Sequence, residues 1–156
     1  MWFRCFHFPY MLAFIRPCYG YIVKHSYSQI QNDYFKYRSC HRRNFKKSKG
    51  YTNYVEDHHV IPKQWRHHEL LQNINFDVHC SDNLYIMPNN DATKRFHLHP
   101  DTLIHQGGHR KYNYYVKEQL DYIQGLDKDA QEYQFWLLLH HLKSNMKFNK
   151  DGIPWK

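Results

Sequence analysis

The sequence predicts an α+β fold in which a β-hairpin and a following helix form a small unit inside a mainly helical single domain. Two short β-like runs, residues 51–55 and 84–87, precede a long stretch with helical apolar spacing. A length of 156 residues fits one domain, and a hydrophobic content of 42% is sufficient for a modest core. We expect residues 1–50 to form an extension, 51–125 the central unit, and 126–156 a C-terminal helix and tail.

The extension begins with an apolar and aromatic segment, residues 1–22. Pro9, Arg16 and Pro17 interrupt this segment, so it is too short and too broken to span a bilayer. No cleavage site of the A-x-A type follows it, so we expect an element packed on the core, or a poorly ordered leader, rather than a secretion signal. The sequence therefore favours an intracellular location over a secreted one.

The rest of the extension, residues 32–49, is strongly basic and contains interspersed aromatic rings. Together with the formal net charge of +8, this composition indicates a polyanionic partner, with nucleic acid favoured. Its lysine and arginine side chains can hold phosphates, and a solvated basic linker is the alternative interpretation. The predicted phosphate contacts in this segment are Arg38, Arg42, Arg43, Lys46 and Lys47.

The central unit opens with the strand at 51–55, and Pro62 prevents its continuation. A short polar helix is predicted over 63–72. The second strand, at 84–87, is ended by Pro88. These two strands are expected to pair as a hairpin.

Two longer helices are predicted after a loop at 89–103. The first runs from 103 to 122 and contains Gly107 and Gly108, each of which costs about 1 kcal/mol relative to alanine in a helix. Close approach of a ligand or of the neighbouring strand would offset that cost. The second helix spans 127–145 and has an apolar face.

Two adjacent histidines, His58 and His59, follow the first strand. Neighbouring residues on a strand point to opposite sides, so one imidazole can face a metal while the other faces a substrate. Among the 14 histidines there are two further adjacent pairs, at 67–68 and 140–141. Both lie on predicted helices, where neighbours point about 100° apart and cannot chelate jointly. We therefore assign chemistry to the first pair alone.

Another pair, His105 and His109, has the i, i+4 spacing that places both side chains on one helical face. They could bind one cation together, and a third ligand from the hairpin would leave coordination positions open for water and a phosphate oxygen. The neighbouring histidine of the hairpin could then act as general base, because its unperturbed pKa of about 6.5 is near working pH. An asparagine on the second strand could orient that base.

In this order, the elements resemble the HNH nucleases with a ββα-metal finger, also called the His-Me finger, within the HNH/endonuclease VII superfamily. The most similar subgroup is the one named for its Ala-His-His motif, and colicin-type DNases share the His-His-x-x-Pro and H-x3-H elements. The resemblance covers residues 55–120. It is carried by His58, His59, Pro62, Asp82, Asn83, Leu84, Pro88, His105, Gly107, His109 and Tyr112.

The resemblance implies that His58, His105 and His109 bind one divalent metal ion, which would be Mg²⁺, Mn²⁺ or Zn²⁺. It also implies that His59 is the general base, and that Asn83 supports the turn between the strands or positions that base. The chain departs from the subgroup at Asp57, which stands in the place of its alanine. In other branches an Asp-His pair supplies ligand and base, so Asp57 as ligand with His58 as base is the alternative. The x-x-Pro spacing favours His59.

The resemblance therefore implies an endonuclease that hydrolyses the phosphodiester bonds of nucleic acid, with double-stranded DNA as the expected substrate. Arg110 and Lys111, beside the predicted site, are expected to contact the phosphate backbone. One alternative is a non-catalytic basic nucleic-acid-binding protein with a metal-stabilised finger, although a structural metal would not require the second histidine. Another is a membrane-active basic toxin, which only the apolar N-terminal segment supports. The sequence predicts no oligomeric state.

Overall fold

A computed structural model of the protein describes residues 35–147 and 149–155. Within these residues a two-stranded antiparallel hairpin is combined with five α-helices, which confirms the predicted α+β fold. The expectations for residues 1–34, including a packed N-terminal element, fall outside the described residues. In the described part of the chain, no helix has both the length and the apolar character needed to cross a membrane.

The described chain forms, in order, α1 (Cys40–Ser48), β1 (Val55–His59), α2 (Glu69–Asn73), β2 (Leu84–Pro88), α3 (Asn90–Phe96), α4 (Arg110–Gln124) and α5 (Lys128–Asn145). Single turns of 3-10 helix, Lys63–Trp65 and Ser81–Asn83, precede α2 and β2. The side chain of Ser39 accepts a hydrogen bond of 3.2 Å from the backbone N–H of Arg42. This serine cap satisfies a free N–H group of the first turn and defines the start of α1.

The hairpin pairs Val55 with Pro88 at one end and His59 with Leu84 at the other. Its first strand therefore lies later in the chain than the predicted 51–55. The reason is a turn just before β1, in which Asn53 has a φ of 72°. Asparagine tolerates this left-handed conformation better than most residues, and the strand can begin only after it. Both adjacent histidines consequently lie inside β1.

The hydrophobic core joins the segment after β1 to helices α2, α4 and α5. Val60 and Ile61 follow β1 directly and are fully buried, as are Tyr112 on α4 and Phe135 on α5. The hydroxyl of Tyr112 donates a hydrogen bond of 2.6 Å to the backbone carbonyl of Val60. This bond fixes the first turn of α4 against the end of β1, and so brings two parts of the candidate site together.

The helix predicted from Leu103 begins only at Arg110. Part of the preceding backbone is bonded elsewhere, because the N–H of His105 donates to the carbonyl of Pro88 at the end of β2. Gly107 has a φ of +61°, which glycine adopts without strain and which no α-helix contains. Both glycines of this segment thus lie in a loop, and the helical cost expected for them does not arise.

Two other predictions for the central unit were wrong. The loop predicted over 89–103 contains α3, because the side-chain oxygen of Asn89 accepts hydrogen bonds of 3.1 Å from the N–H groups of Asp91 and Ala92. The asparagine-rich sequence that indicated a loop is therefore a helix cap. The helix predicted over 63–72 is divided into a 3-10 turn and α2.

Candidate functional site

The residues of β1 alternate between two faces of the hairpin. Glu56 and His58 point to the face that carries the loop before α4, where both contact His105. Asp57 and His59 point to the opposite face, where Asp57 contacts α1. The two adjacent histidines therefore have different surroundings, as strand geometry led us to expect.

Three histidines form a cluster on the first face: His58, His105 and His109. One ring nitrogen of each lies within 4.8 Å of those of the other two, a spacing that a single metal ion can bridge. His58 and His109 are buried. No described residue forms a hydrogen bond with the buried Nε2 atom of His58, and such an atom is costly to leave without a partner. The cluster unites the three residues that the sequence named as ligands.

The imidazole of His58 is neutral at pH 7. Its burial, followed by the charges of His105 and His109, lowers its pKa from 6.5 to about 3. Metal ions bind the neutral form of histidine, so this environment keeps His58 ready to bind one. The donor set and the buried Nε2 atom thus fit a divalent ion.

His105 and His109 reach the cluster from a loop and not from a helical face. His109 immediately precedes α4 and has a φ of −103° and a ψ of 63°, outside the helical range. His105 is held by its backbone bond to Pro88. The sequence therefore grouped the two histidines correctly, but the helical i, i+4 argument behind the grouping was wrong.

Glu56 orients one of the cluster histidines. Its Oε2 atom lies 2.8 Å from Nδ1 of His105, so that Nδ1–H donates to the carboxylate and Nε2 remains for a metal. Glu56 was not among the predicted site residues. The available signal was its position two residues before His58, because residues i and i+2 of a strand share one face.

We expect Glu56→Gln to lower metal affinity about 10–100-fold, because a weaker hydrogen-bond acceptor orients His105 less firmly. The affinity can be measured by competition with a metal-sensitive dye. Glu132→Gln is the matched control, since Glu132 is exposed on α5 and distant in sequence from the cluster. An equal affinity for the Glu56 variant and the wild type would contradict the assigned role.

Trp155, in the C-terminal segment, covers the cluster. Its ring centroid lies 4.2 Å from that of His109 and 5.2 Å from those of His58 and Tyr112. This packing restricts rotation of the imidazoles and shields one side of the cluster from water. Trp155 was not among the predicted site residues. Nothing in the residue spacing of the C-terminal tail indicates that the tail packs against the histidine cluster.

His59 lies on the opposite face and is 8% exposed. Its Nε2 atom is 3.2 Å from Nδ1 of His79, and the ring of Tyr37 packs edge-on with centroids 4.6 Å apart. Burial, followed by the charges of His79 and Lys63, lowers the pKa of His59 from 6.5 to about 4. At pH 7 its imidazole is therefore neutral and able to accept a proton.

Asp57 lies outside the three-histidine cluster and forms two ion pairs with α1. Its carboxylate oxygens are 2.7 Å from Nε of Arg42 and 3.0 Å from Nζ of Lys46. Arg42 is only 6% exposed. This placement does not support Asp57 as a metal ligand. It also means that Arg42 and Lys46, two of the predicted phosphate contacts, are paired with a carboxylate of the protein. The remaining predicted contacts are exposed: Arg38, Arg43, Lys47, Arg110 and Lys111.

Asn83 is fully buried and ties together the two ends of the segment that connects β1 to β2. Its Oδ1 accepts a hydrogen bond of 2.6 Å from the N–H of Ile61. Its Nδ2 donates to the carbonyls of Ile61, at 2.9 Å, and Val78, at 2.8 Å. Of the two roles that the resemblance implies for Asn83, these bonds favour support of the hairpin over contact with His59.

We expect Asn83→Ala to lower the free energy of unfolding by at least about 3 kcal/mol. The substitution leaves three buried backbone groups without partners, and each costs about 1–3 kcal/mol. Urea unfolding followed by circular dichroism measures the change. Asn73→Ala, at an exposed position of α2, should change stability by no more than about 0.5 kcal/mol. A small effect at Asn83 would rule out the structural role.

Comparison with known proteins gives one family match. Residues 41–137, more than half of the chain, match the model of a family described as AHH, a nuclease family of the HNH/ENDO VII superfamily with conserved AHH. The matched segment contains the hairpin, α4 and all three histidines of the cluster. The comparison with curated proteins and the comparison with solved structures found no match.

Proposed function

This chain belongs to the AHH family of nucleases in the HNH/ENDO VII superfamily, and we propose that it is a metal-dependent endonuclease that hydrolyses phosphodiester bonds of double-stranded DNA. One observation carries the proposal. Three imidazoles converge on one face of β1 while His59, the next residue after the first of them, lies on the other face. This arrangement separates a metal-binding group from a proton acceptor within a single strand.

The residues that would hold the metal are His58, His105 and His109, with Glu56 orienting His105. A set of imidazole nitrogens suits Zn²⁺ and similar transition ions better than Mg²⁺, which prefers oxygen ligands. When bound, a divalent ion polarises the phosphoryl group and stabilises charge on the departing oxygen. Three protein ligands leave positions open for water and substrate, as in catalytic sites.

His59 is proposed to accept the proton of the attacking water. Its imidazole is neutral at pH 7, because burial lowers its pKa to about 4, and this keeps the ring available as an acceptor while making it a weaker base than a free histidine. In the tautomer in which Nε2–H of His59 donates to Nδ1 of His79, Nδ1 of His59 is the ring nitrogen that receives the proton. The edge-on contact with Tyr37 holds the same ring in place.

Exposed cations are proposed to hold the nucleic acid through its backbone, without reading bases. Arg110 and Lys111 begin α4, directly after the ligand His109. Arg43 and Lys47 are exposed on α1. The formal net charge of +8 supports a strongly salt-dependent interaction with a polyanion such as duplex DNA.

The proposal is tested by incubating the protein with supercoiled plasmid in the presence of Zn²⁺, Mn²⁺ or Mg²⁺. We expect nicked and linear products with at least one ion, and none with excess chelator. A single-stranded RNA substrate in parallel tests the preference for duplex DNA. Tight DNA binding without cleavage under every condition would contradict the proposal and favour a non-catalytic protein with a metal-stabilised finger.

A further inference from the structure

An open groove of about 600 Å³ lies beside His59 on the face opposite the three-histidine cluster. Residues from three separate parts of the chain line it: Lys36, Tyr37, Arg38, Lys63, Arg66 and His79. His79 belongs both to the groove and to the pair with His59. The groove is therefore linked to the proposed proton acceptor through His79.

Specific contacts hold the first wall of the groove in place. The N–H of Tyr37 donates a hydrogen bond of 2.9 Å to the carbonyl of His79. The ring of Tyr37 stacks on that of His79, with centroids 5.7 Å apart. The next residue, Arg38, has a φ of 62°, which costs free energy for a side-chain-bearing residue and turns the chain toward α1. The wall is thus a built structure and not a loose end of the helix.

Two cations lie on the ring of Tyr37. The Cζ atom of Arg38 and the Nζ atom of Lys63 are each 5.2 Å from its centroid, a cation–π distance. Both positive groups also line the groove. An anion in the groove would be attracted by them, because each cation would gain a favourable partner.

The charges lining the groove are strongly unbalanced. Four basic side chains face one carboxylate, that of Asp77, which accepts a hydrogen bond of 2.8 Å from the N–H of His79. None of the four forms an ion pair with a described residue. By contrast, Arg42 and Lys46, on the adjacent α1, are both paired with Asp57. The groove keeps its cations available to an external anion.

Part of this groove lies outside the segment that matches the family. Residues 36–38 precede the segment 41–137 that matches the family. We propose that the groove is a phosphate-binding subsite that holds the backbone of the nucleic acid next to the bond presented to His59. The proposal rests on the proposed nuclease function and names where the substrate strand lies.

Binding of a fluorescein-labelled DNA duplex, measured by anisotropy in EDTA across a range of salt concentrations, tests the subsite without cleavage. Each phosphate contact contributes about 0.9 to the slope of log K against log salt. We expect Lys63→Gln to lower that slope by about 0.9, and Arg38→Gln/Lys63→Gln to lower it by about 1.8. Affinity at low salt should fall several-fold for each lysine or arginine removed.

Lys128→Gln is the matched control, because Lys128 is an exposed lysine at the start of α5. It follows the far end of α4, a helix of 15 residues that is roughly 22 Å long and begins beside the cluster. The salt-dependence slope and the DNA affinity of the Lys128→Gln variant should equal those of the wild type. Far-ultraviolet circular dichroism and Tm values check that the variants remain folded.

The outcomes separate the two proposals. Equal slopes for the wild type, both groove variants and the Lys128 control would overturn the subsite and leave the nuclease function standing. An equal loss in the groove variants and in the control would also overturn it, because the effect would then be one of net charge. No binding of DNA by the wild type in EDTA would overturn the subsite, whereas plasmid cleavage in the presence of metal decides the proposed function separately.

Discussion

His59→Ala is expected to lower the rate of DNA cleavage by about 10²–10⁴-fold, the usual contribution of a general base. The substitution removes the imidazole that is proposed to accept the proton of the attacking water. Cleavage of supercoiled plasmid at saturating metal measures the effect. His59→Gln, which keeps more of the volume packed against Tyr37, should lose a similar factor.

Two controls isolate the chemical role of His59. His140→Ala makes the same substitution at an exposed position of α5 and should retain full activity. Metal binding by His59→Ala should also be unchanged, because the ligands lie on the other face. Wild-type cleavage rates in both His59 variants would exclude His59 as general base. A loss of metal binding along with activity would mean that His59 contributes to the metal site, and would contradict its assignment as general base alone.

His58→Ala is expected to abolish both metal binding and cleavage. In the wild type, a metal at 100 times its Kd should add about 2.7 kcal/mol to the free energy of unfolding. For a chain of this length, that gain corresponds to a rise in Tm of about 5–10 °C. The variant should show little or no rise, since two imidazoles alone remain in the cluster.

The comparison of Tm with and without metal is made within each variant, so a general loss of stability from removing a buried side chain does not affect it. His140→Ala should show the full rise. A metal-dependent rise in His58→Ala equal to that of the wild type would mean that the ion binds elsewhere. The role of His58 as a ligand would then be wrong.

The sequence predicted the three histidines of the cluster by two arguments, and the structure agrees with only one of them. Adjacent residues of a strand must diverge, and this correctly separated His58 from His59. For His105 and His109, however, spacing was read as a helix, whereas the segment is a loop bonded to the end of β2. Backbone bonds between distant segments are not encoded in local spacing. The two glycines were the local evidence against a helix.

The residues that the sequence analysis missed act through contacts between distant segments. His79 lies 20 positions after its partner His59, and Trp155 lies outside the predicted central unit that contains its partner His109. Neither separation in sequence corresponds to a strand or helix period, so no periodic pattern could have indicated these two contacts. Glu56 was accessible to sequence reasoning, because it is on the same strand face as His58.

Charge alone does not distinguish the contacts of the basic residues in the extension. Arg42 and Lys46 looked equivalent to Arg43 and Lys47 in the sequence, but the helix directs the first two toward Asp57. The i, i+4 spacing of Arg42 and Lys46 is what places both on one side of α1. An acidic partner for that side could be recognised only once the fold brought β1 beside it. Two of the four cations that line the groove, Lys36 and Arg38, belong to this same basic segment.

The most direct test of the account is the position of a metal ion in crystals grown or soaked with Zn²⁺, located by anomalous diffraction. We predict one peak bound by nitrogens of His58, His105 and His109, at zinc–nitrogen distances of about 2.0–2.1 Å. His59 should lie on the other side of the strand and make no contact with the ion. A peak bound by Asp57 or His59, or no peak at the cluster, would contradict the account.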